Sequence, residues 1–264
     1  MAMDEIVVPG WSEVTADQMQ EFFRQASPKV KRIGLRNFQN FLDDPNKYSD
    51  EAPGFISLSQ AKKILGRDKV VTVSNFNKVW NTSHKDAPIF YGKKDFVDAD
   101  CRNKEKGDDF GLFYYSGQSI RKIHEIIGVD PKQLYFCKNN WYLNKKQDLW
   151  VNKVPPAGYY LINLKGLFQN LKYREQEDEM IAQFGKDYER TNPHIFTEVA
   201  MTVFKLTGKR VAGGWYHRSA VCTADGLRVH AGISDALGWN VLPFRNDADH
   251  DGCLRVSVCQ KWRT

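Results

Sequence analysis

A chain of 264 residues with 42% hydrophobic and 27% charged residues and a formal net charge of +6 has the composition of a soluble globular protein. It holds enough material for one large or two small domains, and it has no run of 18 apolar residues, which excludes a membrane-spanning helix. The positive excess is modest and spread along the chain, so it argues against nucleic acid as the main partner.

The opening MAMDEIVVPGW carries an early acidic pair and no apolar core bounded by a cleavage site. Cys101, Cys137, Cys222, Cys253 and Cys259 are odd in number and lack metal-ligand spacing. Both features favour reduced thiols and a cytoplasmic protein. Residues 1–88 are expected to be a helical N-terminal region: Thr15 with Gln18 resembles a capping box, and Met19, Phe22, Phe23, Phe38, Phe41 and Leu42 follow a helical period. Ser57 and Gln60 open another short helix, which Gly66 is expected to close as an αL cap. The run Val70–Trp80 begins like a strand and turns polar.

Residues 89–150 are aromatic and basic and include FGLFYYSG, a helix SIRKIHEIIG and the pairs Lys93–Lys94 and Lys145–Lys146. Aromatics flanked by Lys and Arg are the pattern of a base-stacking surface, and a nucleic-acid-binding module would need one positive face holding Arg102, Lys145 and Lys146. Pro155–Pro156 and Gly158 mark the start of a domain over residues 151–264, with YYLINLKG as its first strand. A helix over Tyr173–Phe184 and a second from Asn192–Pro193 to Gly208 follow. Glu175, Glu177 and Glu179 alternate and therefore point to different sides of the first helix, as a solvated face does and a catalytic pair does not.

The last fifth obeys a different rule. Residues 211–259 contain no Lys, Glu, Gln or Met, whereas the rest of the chain holds 24 Lys, 11 Glu, 12 Gln and 5 Met. At the rate found elsewhere, a window of this length would hold roughly 12 such residues, and β-rich composition explains scarcity better than absence. Turn glycines, fixed charges and alternating apolar residues, among them Trp215, Asp225, Gly226, Arg228 and Leu254–Val258, have the look of framework. Between them stand residues of no common chemistry: Tyr216, His217, Val221, Leu227, His230, Ile233, Leu237, Asn240, Leu242, Phe244, Arg245, Asn246 and His250. Apolar and aromatic residues at positions expected to be exposed are the mark of a binding surface.

The opening RVAGGWYHRS, the TADGLRVHAG and SDALGWNV repeats and the closing CLRVSVCQKW resemble the variable proteins of bacterial diversity-generating retroelements, most firmly over residues 155–262. In that family a reverse transcriptase miscopies template adenines, so Asn codons of the AAC type become any codon ending in the same pyrimidine. Such codons encode no Lys, Glu, Gln, Met or Trp. The resemblance implies a C-type-lectin-like fold, related to that of formylglycine-generating enzymes, that displays randomised side chains. Trp239 then belongs to the framework, or serves as an anchor if it is exposed.

Three sets of residues could carry chemistry. Asp247, Asp249 and Asp251 with Gly252 have the D-x-D-x-D-G opening of a calcium loop, but the twelfth position is Val258, where an EF-hand needs Glu. A looser calcium site on these three aspartates stays open, against a polar loop in which Asp favours turns. Cys253 and Cys259 parallel the copper-binding cysteine pair of formylglycine-generating enzymes, and an oxidoreductase of that type is the sharpest rival. An extended strand, however, would part the two by about 20 Å. His217, His230 and His250 have no spacing that forces them together.

The expectation is an α+β chain: a helical N-terminal part, then a C-type-lectin-like domain with a glycine-punctuated β-rich segment. Its function would be non-enzymatic binding of a macromolecule, most simply a protein, with no catalytic residue and no obligatory cofactor. Tyr216, Phe244 and Arg245 would be the anchors, because aromatic and Arg side chains dominate interface energetics.

Overall fold

One half of the central sheet is packed between two apolar cores, and the other half meets an apolar core on one face only; this difference positions the candidate site. The computed structural model describes residues 56–127, 141–235, 238–244, 247–248 and 252–262, with backbone alone at 127, 233–235 and 244. The expected helices before residue 56 lie outside the described residues. Among the described residues the fold is α+β, with seven α-helices and eight strands.

Helix α1 (Leu58–Leu65) starts at the expected capping box of Ser57 and Gln60. Gly66 closes it with φ 97° and ψ 151°, a positive φ outside the αL region expected for it. A 3-10 turn (Arg67–Lys69), strand β1 (Val70–Val71) and helix α2 (Val73–Trp80) follow, so the polar half of the 70–80 run is helical, nucleated by a Thr72–Asn75 capping box. Helix α3 (Lys93–Glu105) leads to β2 (Phe110–Tyr115), and α4 (Ile120–Ile127) and the short α5 (Asp148–Val151) precede β3 (Gly158–Leu167). Next come α6 (Tyr173–Phe184), β4 (Tyr188–Arg190), α7 (Pro193–Thr207), β5 (Tyr216–Cys222), β6 (Arg228–Asp235), β7 (Gly238–Phe244) and β8 (Leu254–Gln260). Helix α7 begins at Asn192, whose side chain accepts from the His194 N–H, and ends at Gly208 in the left-handed conformation, as its sequence predicts.

The strands run in the order β1-β2-β3-β8-β5-β6-β7, with β4 also paired to β8. Strand β3 pairs with β2 from Asn163 to Gly158, so the sheet continues across the Pro155–Pro156 stretch, and residues 54–264 form one compact unit. Strand β8 is the junction, since β3 flanks one edge and β4 and β5 share the other.

Alternation along β2 and β3 explains the two buried faces. Phe113, Tyr115, Tyr160 and Ile162 join a core with Ile195, Phe196 and Val199 of α7. Phe110, Leu112, Tyr114, Tyr159 and Leu161 join another with Ala61, Phe76, Phe96 and Met180 from the first helices and α6. Strand β2 is therefore apolar throughout, as a strand covered on both sides must be. Among the described side chains of β6 and β7, Val229, Ala231, Trp239 and Val241 reach the α7 core.

Candidate functional site

Strands β5, β6 and β7 form an antiparallel meander whose register fixes what faces outward. Tyr216 pairs with Gly232 and Gly232 with Asn240; Arg218 pairs with His230 and His230 with Leu242; Arg228 pairs with position 244. The intervening row, His217 with Ala231 and Ala231 with Val241, faces the α7 core, where all three are buried. Because side chains alternate across a sheet, Tyr216, Arg218, Arg228, His230, Asn240 and Leu242 share the outward face. Gly232 lies at the centre of the first row, and a Cβ there would come within 2.4 Å of the Trp215 carbonyl oxygen, which keeps β5 and β6 close under Tyr216. The β5–β6 hairpin turns through Thr223–Leu227: the Thr223 N–H donates to the Leu227 carbonyl at 2.7 Å, and Gly226 takes the left-handed φ of 75°.

Of the residues expected on the variable face, Tyr216, Asn240 and Leu242 are half-buried and lie together on it. Leu227 is half-buried in the hairpin turn. Val221 follows a register shift in β5 and packs against the α7 core, so it leaves the set. Side chains of Ile233 and Phe244, and the whole of Leu237, Arg245, Asn246 and His250, lie outside the described residues.

Three expected ligand positions are corrected. His217 is fully buried: its Nδ1 accepts the Ser257 N–H at 3.0 Å and its Nε2–H donates to the Thr191 carbonyl at 2.5 Å. Burial pushes this imidazole down to about 3, so it is a neutral joint between strands and not a contact residue. Trp239 is also fully buried, against Phe196, and its Nε1–H donates to Thr197 Oγ1 at 3.2 Å; it is framework and not an anchor. His230 belongs to the outward row but is 1% exposed, and burial, with Arg218, His217, Arg228 and Arg190 around it, pushes its imidazole down to about 3.

Near His230 lies an arginine cluster that the sequence pattern does not reveal. Tyr173, the first residue of α6, lies over this part of the face, with the guanidinium carbons of Arg228 and Arg190 at 3.5 and 4.0 Å from its ring centroid and that of Arg218 at 5.7 Å. Arg190 donates to Glu177 Oε2 at 2.9 Å and to the carbonyls of Tyr173 and Arg218. Arg228 grips both oxygens of Asp247 at 2.6 and 2.9 Å, and the Asp247 carbonyl accepts the Tyr173 N–H at 3.0 Å. The acidic helix α6 thus supplies a counter-ion and a stacking ring to the sheet. The only cue in the sequence is Arg and Tyr spaced far apart, which no local period links.

The chemical constellations come apart in the same geometry. The Arg228 fork holds the Asp247 carboxyl below the usual carboxylate range, so this candidate calcium ligand is already engaged; Asp249 and Asp251 lie outside the described residues. Among the described residues no group of three or more His, Cys, Asp or Glu could hold a metal ion. Cys253 immediately precedes β8 and Cys259 is near its far end, which places about 20 Å of extended strand between them at ~3.3 Å per residue. The Cys259 thiol is buried and pushed up by that burial and by Glu189, the reverse of what a metal-binding thiolate needs. Arg102 pairs with Asp108 at 2.8 Å and lies 3.7 Å over the Phe184 ring, so it does not join Lys145 and Lys146 in an open positive face.

No protein-family model, curated protein or solved structure matches this chain. Within the described residues, then, the strongest candidate is the β5–β7 face itself: half-exposed Tyr216, Asn240 and Leu242 beside the arginine cluster stacked on Tyr173.

Proposed function

We propose that this chain is a non-enzymatic binding protein whose β5–β7 face is a diversified contact surface for a macromolecular ligand, as its resemblance to the variable proteins of diversity-generating retroelements implies. On that reading residues 155–262 adopt a C-type-lectin-like arrangement. The observation that carries the proposal is the split between the two faces of the meander. Inward positions Val229, Ala231, Trp239 and Val241 are buried apolar framework, whereas outward Tyr216, Asn240 and Leu242 share no chemistry and are half-exposed. Identity on such a face is free to vary while the backbone beneath it is not.

Corrected for burial, the diversified set loses His217, Val221 and His230, Trp239 is framework and not an anchor, and Tyr216, Leu227, Asn240 and Leu242 remain among the residues whose side chains are described. Ile233, Leu237, Phe244, Arg245, Asn246 and His250 complete the set on the sequence pattern alone. Protein is the favoured ligand, since an aromatic and an aliphatic side chain side by side suit an interface core better than a charged polymer.

The test is the DNA encoding residues 216–250. The proposal expects pyrimidine-ending codons at Leu227, Leu237, Leu242 and Arg245, where the genetic code also allows a purine, and a near-copy of the segment close by that carries adenines at the diversified sites. Purine-ending codons at these positions with no such copy would sink it.

A further inference from the structure

Away from the sheet face, α1, the 3-10 turn, β1 and α2 border an open cleft of about 370 Å³ lined by Lys62, Arg67, Val70 and Asn75, with Arg67 exposed and Lys62 and Asn75 half-buried. Lys62 stands in the last turn of α1, Arg67 opens the 3-10 turn, and Asn75 is the third residue of α2. Asn75 commits its Oδ1 to Thr72, accepting from the Thr72 N–H at 3.0 Å and from Thr72 Oγ1 at 2.8 Å, so the group it has left to offer is its Nδ2. Asp109, the carboxylate near this end of the sheet, is shared by Lys69 and Lys209. Among the described residues neither Lys62 nor Arg67 has an ion-pair partner, and the exposed Asp68 does not line the cleft.

The lining therefore offers an ammonium, a guanidinium and an amide N–H, with no side-chain carboxylate. Such a donor-only set is complementary to an anion with several acceptor oxygens. The volume falls within the roughly 300–1,000 Å³ of small-molecule sites and leaves room beyond a bare oxyanion. We propose that this cleft binds a small phosphate monoester, with the Arg67 fork taking two phosphate oxygens, Lys62 acting as a point charge and Val70 meeting the organic part. This site is built from α1, β1 and α2, so it stands or falls independently of the β5–β7 face.

The test is a titration of the full chain with sodium phosphate and, separately, ribose 5-phosphate, at constant ionic strength held with sodium chloride. Binding is followed by calorimetry and by amide shifts in ¹H–¹⁵N spectra. The expected result is saturation by both, tighter for the ester, with shifts concentrated at residues 62–75. Lys62→Gln and Arg67→Gln should each weaken binding about tenfold, and the double variant should abolish it while keeping the wild-type unfolding temperature. A response that grows linearly without saturation, or survives in the double variant, overturns the proposal.

Discussion

His217 accepts the backbone N–H of Ser257 at 3.0 Å through Nδ1, which leaves its Nε2 as the donor to Thr191 and fixes one neutral tautomer. Its chain neighbour Tyr216 points the other way. One step along β5 thus separates a structural joint from a candidate contact residue. Replacing His217 by Ala leaves a buried N–H and a buried C=O without partners and opens a void, and should cost about 2–5 kcal/mol. Tyr216→Ala should cost about 1 kcal/mol or less, as partly exposed substitutions do. Urea unfolding of both variants checks this; equal losses would remove the distinction between the two faces.

Acid sensitivity follows from three buried imidazoles. Burial pushes His194 down to about 4, and His217 and His230 to about 3. In the unfolded chain each takes up its proton near the usual value of about 6.5. The unfolded state therefore binds more protons below that value, and stability falls as pH drops from about 6.5 toward 3, by up to about 1.4 kcal/mol per unit for each histidine. Unfolding temperature measured from pH 7 to pH 4 should decline steadily, and His217→Gln should flatten part of that slope. A temperature constant over this range would contradict the burial.

Glu198 works in the opposite direction. It is buried on α7, where the Ser116 N–H donates to Oε1 at 2.6 Å and Ser116 Oγ lies 2.5 Å from Oε2, and burial pushes the carboxyl up to about 8. The folded state keeps a proton that the unfolded chain releases near 4.5. Its contribution is complete below that value and is lost as pH rises toward 8. Glu198→Gln, which keeps the shape but not the titration, should make the unfolding temperature less dependent on pH between 5 and 8. An unchanged profile would mean the carboxylate is ionised in the folded protein.

Local rules carried well wherever they acted locally. Asn192–Pro193 and Gly208 bound α7, and Tyr173–Phe184 is the helix that its period predicts, because caps and apolar spacing are properties of neighbouring residues. The division of the outward row was legible only in part. His217 stands among the variable-looking positions, yet register turns it inward, as it does Trp239, and register depends on pairing with β6 and β8 that no short window contains. The arginine cluster was illegible for the same reason: Tyr173, Arg190 and Arg228 meet only because α6 folds back over the sheet. The Val70–Trp80 run hid a helix because Thr72 and Asn75 cap it where β-branched valines suggested a strand.

Asp247 bears on the calcium question directly. Both its oxygens are held by Arg228, so a cation must displace a guanidinium to reach them. Millimolar calcium should leave the unfolding temperature of the wild-type chain unchanged. Arg228→Gln removes the competitor and, because Asp247 is half-exposed, should itself cost no more than about 1 kcal/mol. Calorimetry of both proteins against calcium decides: saturable binding to the wild type would restore Asp247 as a ligand, with Asp249 and Asp251 its natural companions.

The face itself makes the last prediction. If Tyr216, Asn240 and Leu242 are held by the sheet and do not hold it, a library in which all three vary together should fold at nearly every combination. Each such side chain is half-buried on a strand whose opposite face is packed, so its truncation removes little apolar area and opens no enclosed void. The same library built at Val229, Ala231 and Val241 should be almost wholly unfolded, since those positions are 0–3% exposed beneath α7. Resistance of displayed clones to protease reads both libraries at once. Comparable survival in the two would mean that this meander has no outward face to diversify, and with that the proposed contact surface is gone.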